Sequence, residues 1–307
     1  MIEVRNVTKK FGQFTALKDL SCSIDSGRIY GLVGSNGAGK STLMRLMTGV
    51  YRPDGGEITV DGSAVYNHPA VKKRMVYVSD DIYFLPQANM KRMAMFYAAG
   101  HEGFSHERFK ELSGLFGLNT IAPLSTFSKG MRRQAAVILS LCCGADFLFM
   151  DETFDGLDPV MRELVKKMIY MEMENRGATA VIASHSLREL EDTCDQLALL
   201  HKGGIVFESD IQNLKTSLFK VQVAFSAPFG KEVFEGIETV NFSKQGSVAM
   251  AIVRGDRAEV QKKLLGQNPL LVEILPLSLE EVFIHEMEAL GYAFDETRIG
   301  ELGGAKE

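Results

Sequence analysis

The stretch Gly34-Ser35-Asn36-Gly37-Ala38-Gly39-Lys40-Ser41-Thr42 decides how this chain is read. It satisfies G-x-x-x-x-G-K-[ST] at every specified position, the spacing of a phosphate-binding loop. Before it, Ile29-Tyr30-Gly31-Leu32-Val33 is a short apolar run, as a buried strand requires. After it, Ser41-Thr42-Leu43-Met44-Arg45-Leu46-Met47 places apolar residues at helical spacing. The chemistry needs this order. Glycines let the backbone curl so that its N–H groups converge on phosphate oxygens. The helix after the loop adds unsatisfied N–H groups and the positive end of its dipole. Lys40 can reach terminal phosphates, and the Ser41 hydroxyl can ligate Mg²⁺. A glycine-rich turn before an ordinary helix would look similar, but the four specified positions coincide by chance in roughly one chain of this length in a hundred. With a strand before and a helix after, the residues from Gly34 to Thr42 are expected to hold a nucleoside triphosphate.

Working outward, the composition excludes several classes. The chain has 307 residues with a net charge of −5, which argues against a nucleic-acid surface, so no nucleic acid is expected as partner. Its longest apolar stretch, Ala135 to Met150, is interrupted by Ser140, Gly144 and Asp146 and falls short of the roughly 20 residues that span a bilayer. Met1-Ile2-Glu3-Val4-Arg5 carries no basic segment leading into an apolar core, so no signal peptide is read there. The cysteines Cys22, Cys142, Cys143 and Cys194 have no paired spacing, which suits a reducing compartment better than a disulfide framework. The histidines are scattered and form no metal-ligand pattern.

Strand patterns occupy Ile2–Val7, Leu20–Ile24, Ile29–Val33, Glu57–Val60 and Met75–Val78. From about 86 to 144 the texture changes to helical, with patterns over Met90–Ala99, His106–Phe116 and Met131–Cys143. The alternation then resumes: strand at Phe147–Met150, helix from Pro159 to Glu174 with proline at its first position, strand at Ala178–Ala183, helix at Leu187–Cys194, strand at Gln196–Leu200. Strands alternating with helices imply an α/β fold with a mainly parallel sheet. Near Ser217 the pattern changes again, giving a small α+β domain over 217–295, and the polar residues 296–307 read as a flexible tail. The first domain spans 1–216.

The second half of a nucleotide site lies at Phe147-Leu148-Phe149-Met150-Asp151-Glu152. An apolar strand ending in a carboxylate puts Asp151 at the sheet edge where such folds bind ligands, in position to hold Mg²⁺. Glu152 could then orient and deprotonate an attacking water. Two acids at a solvated strand end would be the plainer explanation, but the upstream phosphate loop favours a hydrolytic site.

Between these motifs, Phe127-Ser128-Lys129-Gly130-Met131-Arg132-Arg133-Gln134 resembles the signature of the ATP-binding cassette (ABC) transporter ATPases. Asp155-Gly156-Leu157-Asp158-Pro159 resembles that family's D-loop, His185 its switch histidine, and Phe11 the aromatic that stacks on adenine. These elements run in family order from Phe11 to His201, nearly two-thirds of the chain. The resemblance implies a P-loop NTPase cassette: a mainly parallel core sheet, antiparallel N-terminal strands and an inserted helical subdomain. It implies ATP and Mg²⁺ as cofactors, with Lys40, Glu152 and His185 catalytic and Ser41, Asp80 and Asp151 around the metal. Ser128, Gly130 and Asp158 join the binding residues, because two cassettes of this family dimerise head to tail around two ATP molecules. The chain holds one cassette, so its partner is a second copy or a paralogous subunit. A separate integral-membrane permease is implied too, which would place the chain at the cytoplasmic face of the cell membrane.

The sequence departs from the family pattern at Lys129, where glycine is commoner, at Met131, where glutamine is, and at Asp80, where the glutamine of the Q-loop falls. Aspartate keeps an oxygen for metal or water but is shorter and charged. Tyr83, Phe84, Met90, Met93 and Met95 are candidates to line a groove for the permease. The Ser-Lys-Gly-Met signature and the C-terminal extension resemble cassettes that serve exporters of drugs, antimicrobials or peptides. The alternatives are a regulatory or soluble ABC ATPase not coupled to transport, and an importer ATPase.

Overall fold

The computed structural model describes residues 1–213 and 218–289, so the tail from 296 lies outside the described residues. The chain divides into two compact units, Met1–Asp210 and Ile211–Glu307. The first runs β1 (Ile2–Phe11), β2 (Phe14–Ile24), β3 (Ile29–Val33), α1 (Lys40–Met47), β4 (Gly55–Val60), β5 (Ser63–Ala64), α2 (Pro69–Lys72) and β6 (Met75–Val78). Then come α3 (Met90–Gly100), α4 (His106–Leu115), α5 (Lys129–Leu141), β7 (Phe147–Asp151), α6 (Pro159–Arg176), β8 (Thr179–Ser184), α7 (Leu187–Glu191), β9 (Gln196–His201) and β10 (Gly204–Asp210).

Strands β9, β3, β8, β7 and β6 lie parallel in a six-stranded sheet, with β10 antiparallel on its β9 edge. Every residue of β3, β7 and β8 is buried, and strands covered on both faces read as nearly continuous apolar runs. The other sheet, in the order β2-β1-β4-β5, is antiparallel. It alternates instead, sending Ile2, Val4, Leu20, Cys22 and Ile24 inward. Helix α1 joins both sheets through one core: Leu43, Met44, Leu46 and Met47 pack with Ile2, Leu17, Tyr30, Leu32, Phe149 and Val181. Leu43 is fully buried, so truncating it to alanine should cost about 2–5 kcal/mol.

The helical stretch between β6 and β7 holds α3, α4 and α5, each opened by a side-chain cap. Asn89, Ser105 and Ser128 accept hydrogen bonds from the backbone N–H groups of Arg92, Arg108 and Met131. The Ser128 cap is why α5 starts at Lys129, before the apolar pattern alone would place it. Strand β10 escapes the sequence reading: a register shift between Ile205 and Phe207 breaks its alternation.

The second unit is an antiparallel sheet in the order β12-β13-β11-β14, built from β11 (Leu218–Ala224), β12 (Glu238–Gln245), β13 (Val248–Arg254) and β14 (Leu271–Pro276). The helix Arg257–Leu265, capped by Asp256, contributes Val260 and Leu264 to a core with Phe219, Val221, Val223, Ala251 and Val253. Strand β12 was not expected, because its polar sequence forms an exposed edge. Lys220 and Glu281 pair at 2.7 Å, which holds the Glu281 carboxyl below the ordinary range.

All four cysteines are free and buried. Burial pushes Cys22, Cys142 and Cys143 up to about 12 and raises Cys194 as well. Among the described residues no helix is long and apolar enough to cross a membrane.

Candidate active site at the sheet edge

Register brings the motifs together. Val33 at the end of β3 pairs with Ser184 of β8, and Asp151 at the end of β7 pairs with Ala183. The loops after β3, β8 and β7 therefore emerge side by side at one edge, with His185 between the phosphate loop and Glu152.

The phosphate loop is shaped by two left-handed glycines, Gly37 at φ 81° and Gly39 at φ 112°. Gly39 caps α1 with no side-chain hydrogen bond, so the first N–H groups of that helix stay available to an anion. A Cβ on Gly34 would lie 2.4 Å from the Leu200 carbonyl oxygen, and one on Gly39 would lie 2.7 Å from Leu17. Lys40 is 6% exposed. Its Nζ donates to the Gly34 carbonyl at 2.6 Å and stands 3.2 Å from Glu152 Oε1. Around the loop lies a cavity of about 290 Å³ lined by Ser35, Asn36, Gly37, Ala38, Gly39, Lys40, Ser41 and Thr42, with Asp80 and Glu152. Phe11, Phe14 and Ala16 complete its lining. Phe11 and Phe14 face each other across the β1–β2 hairpin and both are exposed. Sequence reading named only Phe11. The hairpin register, with one residue on either side of Gly12-Gln13, is the signal that pairs Phe14 with it.

Asp151 is fully buried. Burial raises its carboxyl above the ordinary range; the Ser41 and Tyr77 hydroxyls oppose that shift, and the charges of Glu152 and Asp80 add to it. Tyr77 donates to Asp151 Oδ2 at 3.0 Å, while Asp151 Oδ1 is buried without a hydrogen-bond partner. An orphaned carboxylate oxygen beside a serine hydroxyl is a hard-oxygen donor pair that fits Mg²⁺. The sequence pattern marks Tyr77 only as a strand residue. Its period-2 position opposite Phe149 was the available clue.

Glu152 sits at φ 48°, in the left-handed region, and is held there by its N–H donating to the Ala183 carbonyl at 2.9 Å. Its side chain bridges two motifs. Oε1 faces Lys40, and Oε2 meets His185 Nδ1 at 2.9 Å and accepts from the His185 backbone N–H at 3.3 Å. The hydrogen bond to Glu152 raises the His185 imidazole above its ordinary value, helped by the charges of Glu152, Asp155 and Glu189 and opposed by desolvation.

The remaining candidates stand elsewhere. Ser128 and Asp158 are exposed helix caps, Asp158 accepting from the Val160 and Met161 N–H groups at 3.0 Å. Gly130 packs so closely on the D-loop that a Cβ would lie 2.8 Å from the Gly156 carbonyl oxygen. None of these lines the phosphate cavity of its own chain. Asp80 lines it and also pairs with Arg133 at 3.0 Å, a partner that sequence reading passed over. Of the groove candidates, Tyr83 and Met93 border a cavity of about 560 Å³ with Leu85, Phe96, Tyr97 and His101. Phe84 and Met90 are instead buried in the core, and Met95 is exposed outside that cavity.

Residues 17–155 match the protein family described as ABC transporter. The lantibiotic transport ATP-binding protein SrtF of Streptococcus pyogenes is 30% identical over 232 residues, covering 73% of this chain and 98% of SrtF. The chain belongs to the ABC transporter ATP-binding proteins. Among other relatives of this ABC subunit, YtrB of Bacillus subtilis is 28% identical over 285 residues, covering 92% of this chain and 97% of YtrB. The daunorubicin/doxorubicin resistance protein DrrA of Streptomyces peucetius is 28% identical over 310 residues, covering 92% and 91%. Solved cassettes share the fold. An ATP-binding subunit of an ABC transporter superposes with a TM-score of 0.65 at 22% identity, over 70% of this chain and 92% of that one. The cassette MJ0796, dimeric and bound to ADP and Pi, superposes with a TM-score of 0.63 at 20% identity, over 69% and 99%. The ABC subunit described here is thus an ATPase and the nucleotide-binding subunit of a transporter. Subunits of this family dimerise and act with membrane permeases.

Proposed function

We propose that the cavity at the sheet edge binds Mg-ATP and hydrolyses it with Glu152 as the general base. The observation that carries this reading is the Glu152 carboxylate, held by Lys40 on one oxygen and by His185 on the other. Residues from Gly34 to Thr42 wrap the phosphates with backbone N–H groups, and Lys40 leaves Glu152 for the terminal phosphates as their charge arrives. Glu152, freed of that cation, accepts a proton from the attacking water, and His185 keeps its carboxylate oriented. Phe11 stacks on the adenine. Ser41 and Asp151 would hold Mg²⁺, with Asp80 beside them; bound there, Mg²⁺ supplies charge neutralisation along the triphosphate.

The exposed caps Ser128 and Asp158, with Gly130, serve the nucleotide of a second cassette, either another copy of this chain or a paralogue. A helix start with free N–H groups suits a facing γ-phosphate. The cavity bordered by Tyr83, Met93 and Phe96 takes a cytoplasmic segment of the permease, which places the subunit at the cytoplasmic face of the membrane. Export of a drug, antimicrobial or peptide is the favoured direction, supported by relatives named for lantibiotic transport and drug resistance. The C-terminal unit is an accessory domain. The test is phosphate release by the purified full chain with Mg-ATP, with molar mass followed by light scattering. Turnover accompanied by a shift from monomer to dimer is expected. A chain that binds ATP yet neither dimerises nor turns over, alone or with co-expressed permease, would overturn the reading.

A further inference from the structure

Arg133, in the first half of α5, is only 1% exposed and heads the fully buried side chains by volume. Its polar atoms point at the ends of two strands. Nη2 pairs with Asp80 Oδ1 at 3.0 Å, and Nη1 donates to the Ser79 carbonyl at 3.2 Å and the Asp151 carbonyl at 3.4 Å. Nε is buried without a partner. Burying a guanidinium is strongly unfavourable unless it is paired, and an apolar side chain of like volume would pack at least as well. Packing alone therefore does not explain an arginine here.

Its carboxylate partner faces two ways. Asp80 is 55% exposed. It lines the phosphate cavity on one side and, on the other, a cavity of about 210 Å³ with Lys129, Arg132 and Arg133. Arg132 reinforces the same junction by donating to the Ile82 carbonyl at 2.9 Å. The second turn of α5, close behind the Ser128 cap, is thus tied by one ion pair and one hydrogen bond to the two residues after β6, and by one hydrogen bond to the end of β7. An anionic nucleotide and its cation entering the phosphate cavity change the potential at Asp80, and Arg133 is the charge that Asp80 shares.

We propose that Arg133 is a positioning residue of the ATPase reaction: its ion pair with Asp80 and its bond to Asp151 set the N-terminal half of α5 and the end of β7 in register with the phosphate cavity. The proposal rests on that cavity being the ATP site. Arg133 touches no reacting atom and acts through Asp80 and Asp151.

The test uses the full chain and compares Asp80→Asn, Asp80→Gln, Arg133→Lys, Arg133→Gln and the double variant Asp80→Gln/Arg133→Gln. The double variant lengthens one side chain and shortens the other, so a neutral pair can span the gap. Turnover is measured with ATP, and nucleotide affinity separately with a fluorescent mant-ATP probe. Each single variant should lower kcat about 10-fold or more while the mant-ATP Kd stays within about 3-fold. Arg133→Lys belongs with the losses because an ammonium cannot bridge a carboxylate and two carbonyls as the planar fork does. The double variant should recover kcat to within about 3-fold of wild type, a non-additivity expected of residues in direct contact. Wild-type kcat in Asp80→Asn and Arg133→Lys, losses confined to Kd, or a double variant equal to the product of the singles would each overturn it. Should Arg133→Gln fail to fold, Asp80→Asn and Arg133→Lys still decide the question. A wild-type chain that does not bind mant-ATP would instead remove the cavity assignment beneath both readings.

Discussion

Replacing Glu152 by glutamine keeps the shape of the side chain, removes its charge and forces its two contacts to rearrange. Both carboxylate oxygens now accept: Oε1 faces Lys40 Nζ at 3.2 Å, and Oε2 accepts from the His185 backbone N–H at 3.3 Å and meets Nδ1 at 2.9 Å. An amide has only one oxygen. Lysine offers donors and no acceptor, so the amide oxygen must face Lys40 and the NH₂ must face His185. There it can bond only to an unprotonated Nδ1, and the His185 backbone N–H loses its partner. Two consequences can be measured. Loss of the general base should lower kcat about 10²- to 10⁴-fold, or about 3–5 kcal/mol of barrier. ATP affinity should hold or tighten, because Lys40 is released from a competing anion. His185 should also lose the largest cause of its raised value, the Glu152 hydrogen bond, and titrate lower than in the wild type.

The sign of the pH effect is set by the same contact. In the wild type, protonated His185 on Glu152 adds stability that is complete below about 6.5, the unfolded value. That contribution fades as pH rises through the higher folded value. Phosphate release at saturating Mg-ATP and a ¹⁵N titration of the His185 ring, assigned with His185→Gln, check both parts. A Glu152→Gln chain with kcat within about 10-fold of wild type, below the range for a lost general base, or with an unmoved His185 titration, would refute the reasoning.

Gly34→Ala puts a methyl 2.4 Å from the Leu200 backbone oxygen. Overpacking of that kind costs about 1–3 kcal/mol, so calorimetry should show Tm lower by roughly 2–10 °C; an unchanged Tm would mean the loop can yield. Phe11→Ala should weaken ATP roughly 10-fold, the worth of one base stacked on an aromatic ring, while leaving inorganic tripolyphosphate affinity unchanged. Equal losses for both ligands would place Phe11 outside the base site. Tyr77→Phe removes the hydroxyl that donates to Asp151 Oδ2 at 3.0 Å and should raise the Mg²⁺ needed for half-maximal turnover about 10- to 150-fold, as losing one hydrogen bond to a charged group implies. An unchanged Mg²⁺ curve would show that Asp151 needs no such support.

What the sequence disclosed was whatever chemistry writes contiguously. The glycines around Lys40 are dictated by local backbone shape, and Asp151-Glu152 follows a strand whose apolar run is visible without knowing its neighbours. The parallel core was legible for the same reason, since buried strands carry their own composition. Arg133 was not legible. It occupies an amphipathic helix where a basic residue reads as solvated, and only the meeting of α5 with the ends of β6 and β7 shows it to be interior. Phe14 and Tyr77 were hidden similarly: each acts through a cross-strand neighbour, and a linear pattern names the strand but not the partner. Strands β10 and β12 were missed because one carries a register shift and the other is a polar edge. Of the groove residues, spacing alone could not separate Tyr83, which borders the surface cavity, from Met90, which packs inside.

The buried cysteines have a practical corollary. With Cys22, Cys142 and Cys143 held at about 12, the thiolate fraction near neutral pH is on the order of 10⁻⁵, and it is the thiolate that attacks maleimides and methanethiosulfonates. The native chain is therefore already a quiet background for single-site labelling. A cysteine introduced at an exposed position such as Val160, beside the Asp158 cap, would take a spin label or fluorophore selectively, and the distance between two such labels would report the approach of paired cassettes without any native thiol being removed.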